Sequence, residues 1–236
     1  MRKIYGPLMA LLFVGFFTMA GAQNLQDVLN KHFKAIGQET LLAKKTYSVK
    51  ATVEQMGMKI PMDMKMKRPD KFRMEMEMQG QKMIQVFDGE KGWVLAPWVS
   101  PEPQELTGAQ LEQAMQQADI DGELYRYEAN GSIAELLGKE FIDDMEVFNI
   151  KLVSADGTEK NYYIDTKDYF IRKVKGKVKS QGREMSVEQN MGNYTEIDGV
   201  MMALEIESKS PVGTARIVFD EVKFGEPFDD ALFQKP

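Results

Sequence analysis

The chain has 236 residues, a formal net charge of −6 and no cysteine. The missing cysteines exclude disulfides and the lipid anchor that exported proteins carry on a cysteine at their cleavage point. The surplus of acid argues against nucleic acid as a partner, since phosphate binding calls for a basic surface. No linker rich in Pro, Gly or Ser interrupts the chain, so we predict one domain over residues 23–236.

The first residues have the three parts of a signal peptide. Arg2 and Lys3 are basic, residues 8–17 are apolar, and Ala20 to Ala22 are small. The apolar run is too short to span a bilayer. We therefore expect residues 1–22 to be removed, and an unlipidated protein to be exported to the periplasm.

A helix is predicted at the start of the remaining chain. Apolar residues from Leu25 to Ile36 fall on one face at helical spacing, and Gly37 is placed to end the helix. His32, the single histidine, lies on this apolar stripe. We interpret it as a packed helix residue rather than a ligand or a catalytic base.

From Tyr47 onward the pattern changes to the period of a strand. The stretch from Ile60 to Gly80, IPMDMKMKRPDKFRMEMEMQG, carries methionine at every second position on both sides of a break. The break falls at Pro69, which cannot donate to a sheet ladder. With the turn at Asp88-Gly89, the pattern predicts five short strands in a β-meander.

An inserted helix is predicted in the middle of the chain. The alternation stops after Pro97, and residues 107–120 have amphipathic spacing with Thr107 as the N-cap. Strands then resume, for about eleven in all. Ser132 to Leu137 is ambiguous, because Ser132 and Gly138 are typical helix caps.

Three interpretations compete for the methionine stripe. An ordinary strand core would favour Val and Ile. Thioethers select Cu(I), but alternate strand residues lie about 7 Å apart, so the methionines form a face and not a cluster. A wall for a variable apolar guest suits methionine, whose unbranched and polarisable chain fits many shapes.

Catalysis finds no support in the sequence. There is no cysteine, no Gly-x-Ser-x-Gly motif and no phosphate-cradling glycine loop. The carboxylates of Glu140, Asp143 and Asp144 fall in predicted turns, where solvated polar residues are the norm. We predict a protein that is not an enzyme and that needs no cofactor or metal.

Ordered motifs in the chain resemble those of the LolA-like periplasmic carriers of outer-membrane lipoproteins. The first are Lys67-Arg68-Pro69, Phe72 with Met74, the turn VFDG at residues 86–89, and Trp93 with Pro97. The stretches NYTEIDGVMMALEIES and FDEVKFGEPFDDALFQKP resemble the ends of these proteins. The resemblance covers nearly all of the chain after the predicted signal peptide.

The resemblance implies a mainly β fold, in which a strongly curved antiparallel sheet of about eleven strands forms an incomplete barrel. An N-terminal helix and inserted helices would cover its open side as a lid. It also implies that Ser132 to Leu137 is a strand, and that Arg68 latches the lid together with Leu111 and Met115. The implied wall of a lipid-binding cavity consists of Val49, Ala51, Val53, Met62, Met64, Met66, Phe72, Met74, Met76, Met78, Trp93 and Leu95.

The function implied by the resemblance is that of a carrier. It would hold the acyl chains of lipoproteins or other lipids, as a monomer, between an inner-membrane ABC transporter and an outer-membrane acceptor. Three alternatives stay open: an envelope-stress sensor, a carrier of another lipid or glycolipid, and a methionine-rich copper-handling protein.

Overall fold

The computed structural model describes residues 24–180 and 183–236. The predicted signal peptide, residues 1–22, lies outside the described residues. The helices are α1 (Leu25–Ile36), α2 (Gln38–Ala43) and α3 (Ala109–Gln117), with a C-terminal 3₁₀ helix at Asp230–Phe233. The strands are β1 (Thr46–Gln55), β2 (Met58–Lys67), β3 (Lys71–Met78), β4 (Gln81–Phe87), β5 (Gly92–Leu95), β6 (Gln104–Glu105), β7 (Ile133–Ile142), β8 (Met145–Val153), β9 (Glu159–Asp165), β10 (Ile171–Ser180), β11 (Arg183–Ile197), β12 (Val200–Ser210) and β13 (Gly213–Phe224).

All the strands belong to one antiparallel sheet that does not close. Their order is β6-β5-β4-β3-β2-β1-β13-β12-β11-β10-β9-β8-β7. The sequence predicted about eleven strands, whereas the described residues form thirteen. The difference includes the two-residue edge strand β6 and strand β7, while β11 merges two predicted strands into one of 15 residues. The mainly β, curved and unclosed sheet is the predicted fold class.

The predicted N-terminal helix is confirmed, and its ends have clear causes. The Asn24 side chain accepts a hydrogen bond from the Asp27 N–H at 2.8 Å, which satisfies a free donor of the first turn. Gly37 ends α1 in the left-handed conformation, with φ of 70°. A Cβ at this position would lie 2.2 Å from the carbonyl oxygen of Gly199, so only glycine fits the turn into α2.

The methionine strands form the expected antiparallel hairpin. β2 pairs with β3 so that Met62 lies opposite Met76 and Met64 opposite Met74. β1 pairs with β2 on one side and with β13 on the other, which joins the beginning of the chain to its end. The methionines therefore share one face of the sheet with the inward residues of β13.

Two apolar clusters lie on the inner face of the sheet. The first is built by β1 to β3 and covered by α3, whose Ala114 and C-cap residue Ala118 are fully buried. The second is built by β8 to β10 and covered by α1 through Val28 and Leu29. The two helices thus cover opposite halves of the sheet, and strands β11 to β13 lie between them.

Two local predictions have different outcomes. Ser132 to Leu137 was ambiguous from local signals, and the strand implied by the resemblance is confirmed by β7. Thr107 was predicted to cap α3, which is wrong: the N-cap is Gly108, which makes no side-chain hydrogen bond. Gly108 has φ of 52°, a conformation that suits glycine, and the helix therefore begins one residue later than predicted.

Among the described residues, none of the helices has the length and apolar character needed to cross a membrane.

Candidate functional site

A cavity of about 470 Å³ lies between the two clusters. Its roof is formed by α1, α2 and the lid segment, which we define as residues 106–132 between β6 and β7. Its floor is the inner face of β9 to β13 with the ends of β1 and β2. The lining is mostly apolar and includes Phe33, Ile36, Tyr47, Met66, Ile120, Leu124, Met191, Met202, Ile206, Phe219 and Phe224. This volume is within the usual range of about 300–1,000 Å³ for small-molecule sites.

The predicted wall residues lie beside this cavity rather than around it. Of the twelve, only Met66 lines the cavity. Nine others belong to the first cluster or pack against it: Val49, Ala51, Val53, Met62, Phe72, and the half-buried Met64, Met74, Met76 and Met78. Helix α3 therefore covers the methionine wall, and its role in holding a guest stays a prediction.

Trp93 and Leu95 lie on the opposite face of the sheet from the methionines. In the β4–β5 ladder they stand opposite Val86 and Ile84, whereas Val94 stands opposite Gln85. Gln85 in turn pairs with Met74, which faces inward. Val94 is accordingly the β5 residue that packs against the first cluster.

Most of the cavity lining was not predicted from the sequence. Met202, Ile206 and Phe219 come from β12 and β13, where apolar residues alternate with charged ones at LEIE and VKF but form continuous runs at VMMAL and IVF. That alternation was a usable signal for an inward face. The pairing of β13 with β1, which brings this face beside Tyr47, was not readable from local pattern.

Arg68 joins three elements at one edge of the cavity. Its Nε donates to the Lys44 carbonyl at 2.7 Å, and its Nη2 donates to the Leu41 carbonyl at 3.0 Å. Its Nη1 lies 2.5 Å from Oδ1 of Asp121 in the lid segment. Helix α2 also holds the lid directly, since the Gln38 side chain donates to the Asp121 carbonyl at 3.0 Å. Arg68 therefore reaches the lid, while its effect on cargo stays a prediction.

The Asp121 carboxylate depends on this arginine. Its side chain is 10% exposed, and among the described residues Oδ1 accepts no hydrogen bond of acceptable geometry. The short distance to Arg68 identifies the contact as an ion pair, which is the main compensation for a poorly hydrated oxygen. Arg126 lies farther away, at 3.8 Å from Oδ2.

The other predicted lid residues differ in their placement. Leu111 is half-buried and packs from α3 against the first cluster. Met115, on the same helix, is 54% exposed and borders Leu152 of β8 rather than the apolar cavity.

A second polar connection holds the lid at the other side of the cavity. Glu123 of the lid segment forms an ion pair with Lys160 and accepts a hydrogen bond from the Tyr162 hydroxyl at 2.5 Å, both on β9. Burial, and then the nearby Glu123 carboxylate, raise the pKa of Tyr162 well above its ordinary value. Its hydroxyl thus remains a donor over the physiological pH range. Burial also raises the pKa of Asp119, next to the cavity.

His32 is a buried member of the cavity roof. Its Nδ1 donates to the Tyr169 carbonyl at 2.7 Å, which fixes the ring against the second cluster. Burial lowers the pKa of His32, so the ring is neutral near pH 7. Its packing agrees with the interpretation from the sequence.

A larger groove elsewhere is a weaker candidate. It measures about 740 Å³ and lies at the strand ends of β9 to β12. Most of the residues that line it are polar or charged, among them Lys175 and Glu188, which form an ion pair at 3.5 Å. Such a surface favours water over an apolar guest. Within residues 24–180 and 183–236, no group of three or more His, Cys, Asp or Glu side chains is arranged to hold a metal.

Comparison with known proteins identifies the fold. No protein-family model matches the sequence, and no curated protein matches it either. A LolA superfamily protein from Nitrosomonas europaea superposes with a TM-score of 0.63 at 16% identity, over 90% of this chain and 98% of its own. A DUF1329 family protein from Desulfovibrio piger gives 0.61 at 12% identity, over 88% and 97%.

A third solved structure is similar to the same extent. An outer membrane lipoprotein-sorting protein domain from Vibrio parahaemolyticus gives a TM-score of 0.60 at 11% identity, over 87% of this chain and 97% of that one. At such identities the likeness concerns the fold alone. The resemblance noted in the sequence is thereby confirmed at that level: the chain has the LolA-like fold.

Proposed function

We propose that the protein is a periplasmic carrier that shields the acyl chains of lipoproteins or other lipids and passes them toward the outer membrane. The observation that carries this proposal is the apolar cavity closed by a lid that polar contacts hold at two sides. The LolA-like fold and the predicted signal peptide support the same function. An inner-membrane ABC transporter as donor, an outer-membrane acceptor and a monomeric state belong to the proposal.

The physical chemistry of the cavity suits reversible binding. Removing an acyl chain from water gains about 0.8 kcal/mol per CH₂ group. A bilayer offers the chain much the same environment, so a carrier must match the membrane closely and then release its cargo. A cavity made by movable elements meets that requirement better than a rigid one, and half-buried methionines next to it can repack around different chains.

The test is binding of a fluorescent fatty-acyl probe, together with mass spectrometry of lipids that co-purify with the native protein. Phe219→Lys places a charge in the cavity, whereas Val218→Lys places the same side chain on the outer face, opposite Glu205. We expect the first variant to lose co-purified lipid and to bind the probe at least 10-fold more weakly, because an unpaired charge in an apolar site is costly. The second variant should bind as the wild type does.

Two results would contradict the proposal. One is a wild-type protein that carries no lipid and binds no acyl probe. The other is equal binding by the two lysine variants, with melting curves that show both to be folded.

A further inference from the structure

The carboxylate of Glu123 lies in a site made for an anion. Two donors from β9 converge on it, the Lys160 ammonium group and the Tyr162 hydroxyl. The Lys160 and Glu123 side chains are 21% and 26% exposed, so this contact is only partly screened by water. Hydrogen bonds to charged groups are the stronger kind, and a lysine with a tyrosine hydroxyl forms a small site for carboxylate or phosphate oxygens.

A glycine on the neighbouring strand makes room for Lys160. Gly176 of β10 stands opposite Lys160 in the ladder, on the inner face of the sheet. A Cβ at Gly176 would lie 3.0 Å from Cγ of Lys160, closer than such contacts normally come. Glycine weakens a strand interior, and it often marks a place where another group approaches closely. Here the absence of a side chain at Gly176 leaves room for the aliphatic part of Lys160, whose ammonium group reaches the lid segment.

The site borders the apolar cavity. Glu123 and Tyr162 both line the cavity of about 470 Å³. The same two residues and Lys160 also line an adjoining pocket of about 310 Å³, between Glu123 and strands β9 to β11. An acyl chain in the cavity would thus have its polar end next to Lys160 and Tyr162, with space beyond for a larger head.

We propose that Lys160 and Tyr162 form a binding site for the anionic head of an acyl lipid, a carboxylate or a phosphate, which Glu123 occupies in the closed structure. This inference rests on the proposed function. Glu123 belongs to the lid segment, so the ligand's anion replaces the protein's own carboxylate as the lid moves. One anion is exchanged for another, so Lys160 has an anionic partner in both states. The exchange thereby avoids the free-energy cost of a buried, unpaired charge.

A simple structural latch would use the same contacts, and ligand charge separates the two interpretations. A latch responds equally to neutral and anionic lipids, because either one only has to displace the lid. An anion site favours the charged lipid, since only that lipid replaces the hydrogen bonds that Glu123 gives up. The raised pKa of Tyr162 keeps its hydroxyl protonated for this contact.

The experiment measures the affinity of the full-length exported protein for three ligands with the same chain: palmitate, its uncharged methyl ester, and monopalmitoyl glycerol phosphate. The variants are Lys160→Met and Tyr162→Phe, which keep apolar volume and remove the donors. Lys151→Met is the matched control, because Lys151 pairs with Glu159 away from the cavity.

We expect the wild type and Lys151→Met to bind at least one of the two anions about 10-fold or more tightly than the ester. The anion with the larger preference identifies the head as carboxylate or phosphate. In Lys160→Met, the affinity of each anionic ligand relative to that of the methyl ester should fall close to one, while ester binding stays intact. Tyr162→Phe should reduce these relative affinities several-fold, and it serves as the second variant should Lys160→Met fail to fold.

Two outcomes would overturn the site. They are a wild type that binds the ester as tightly as both anions, and an anion preference that persists in both donor variants. In either case, binding of the methyl ester would still support the proposed carrier function. If none of the three ligands binds the wild type, the proposed function fails and the site fails with it.

Discussion

Replacing Arg68 tests the lid directly. Arg68→Leu removes two hydrogen bonds from a charged group to carbonyls, and it leaves Asp121, which is 10% exposed, with only the more distant Arg126 as an ion-pair partner. Each such hydrogen bond contributes about 1.5–3 kcal/mol. The Arg68 side chain is itself 20% exposed, so water recovers part of the loss. The two carbonyl contacts are with α2 and its C-cap, so only the Asp121 ion pair joins Arg68 to the lid. We expect the closed lid to be destabilised by about 1–2 kcal/mol, which changes the ratio of closed to open forms by roughly 10-fold.

A double-mutant cycle isolates the ion pair from the other contacts. Asp121→Asn removes the charge but keeps the backbone carbonyl that accepts from Gln38. The coupling between Arg68→Leu and Asp121→Asn should be about 1–2 kcal/mol, with the double variant more stable than the sum of the singles predicts. Amide hydrogen exchange of residues 106–132 measures lid opening, thermal melting measures global stability, and a transfer assay to acceptor membranes measures delivery.

In Arg68→Leu, we expect amide exchange in the lid and cargo transfer to change more than the melting temperature. Unchanged lid exchange in Arg68→Leu, or a coupling near zero, would refute it. Arg68 would then be a turn residue that tethers α2 without controlling the lid.

Three further predictions concern the wall, a turn and a buried histidine. Met64→Glu should weaken acyl-probe binding about 10-fold or more, and outward Lys65→Glu should leave it unchanged; equal effects would mean that the wall never contacts a guest. In urea titrations, Gly37→Ala should lower the unfolding free energy by more than about 1 kcal/mol. The loss should be clearly larger than for Gly57→Ala, because a Cβ at Gly57 would have no atom within 4 Å. Burial lowers the pKa of His32 in the folded protein, so as the pH falls the imidazole is protonated in the unfolded chain before it is protonated in the folded one. Stability should therefore fall as pH drops below about 6.5. His32→Gln should show a smaller loss of melting temperature between pH 7 and pH 5, and an identical loss would exclude this cause.

The parts of the fold that local signals determine were predictable. Helix α1 follows from its apolar stripe and from Gly37, and the β2–β3 hairpin follows from the methionine period and from Pro69. A period of two also decides which residues share a face, because a one-residue slip would turn every methionine outward. The strand at residues 133–142 needed the resemblance, since Ser132 and Gly138 suggested a helix between them.

The cavity was not predictable from the same signals, because contacts between distant parts of the chain define it. Pairing of β13 with β1 creates the floor, and Glu123 meets Lys160 across 37 residues. Trp93 and Leu95 were misplaced because GWVL is apolar throughout, so the alternation has no direction until the ladder with β4 fixes it. Covering of the methionine wall by α3 is likewise a property of the tertiary structure.

The polar contacts of the lid have the right size to control an acyl carrier. Moving a chain from a bilayer to the cavity replaces one apolar environment with another, so the large gain per CH₂ group cancels from the comparison. What remains is the free energy of rearranging the protein. The ion pair of Arg68 with Asp121, worth about 1–2 kcal/mol, then shifts the balance between membrane and carrier by roughly 10-fold. A lid held by hydrophobic burial alone would be harder to adjust, because opening it would expose a large apolar area at about 25 cal/mol per Å². Charged contacts can instead be replaced one for one by groups on a ligand or a partner. Under the proposed carrier function, the specificity and direction of transfer would depend on Arg68, Asp121 and Glu123, whereas the cavity lining would set only the capacity to hold a chain.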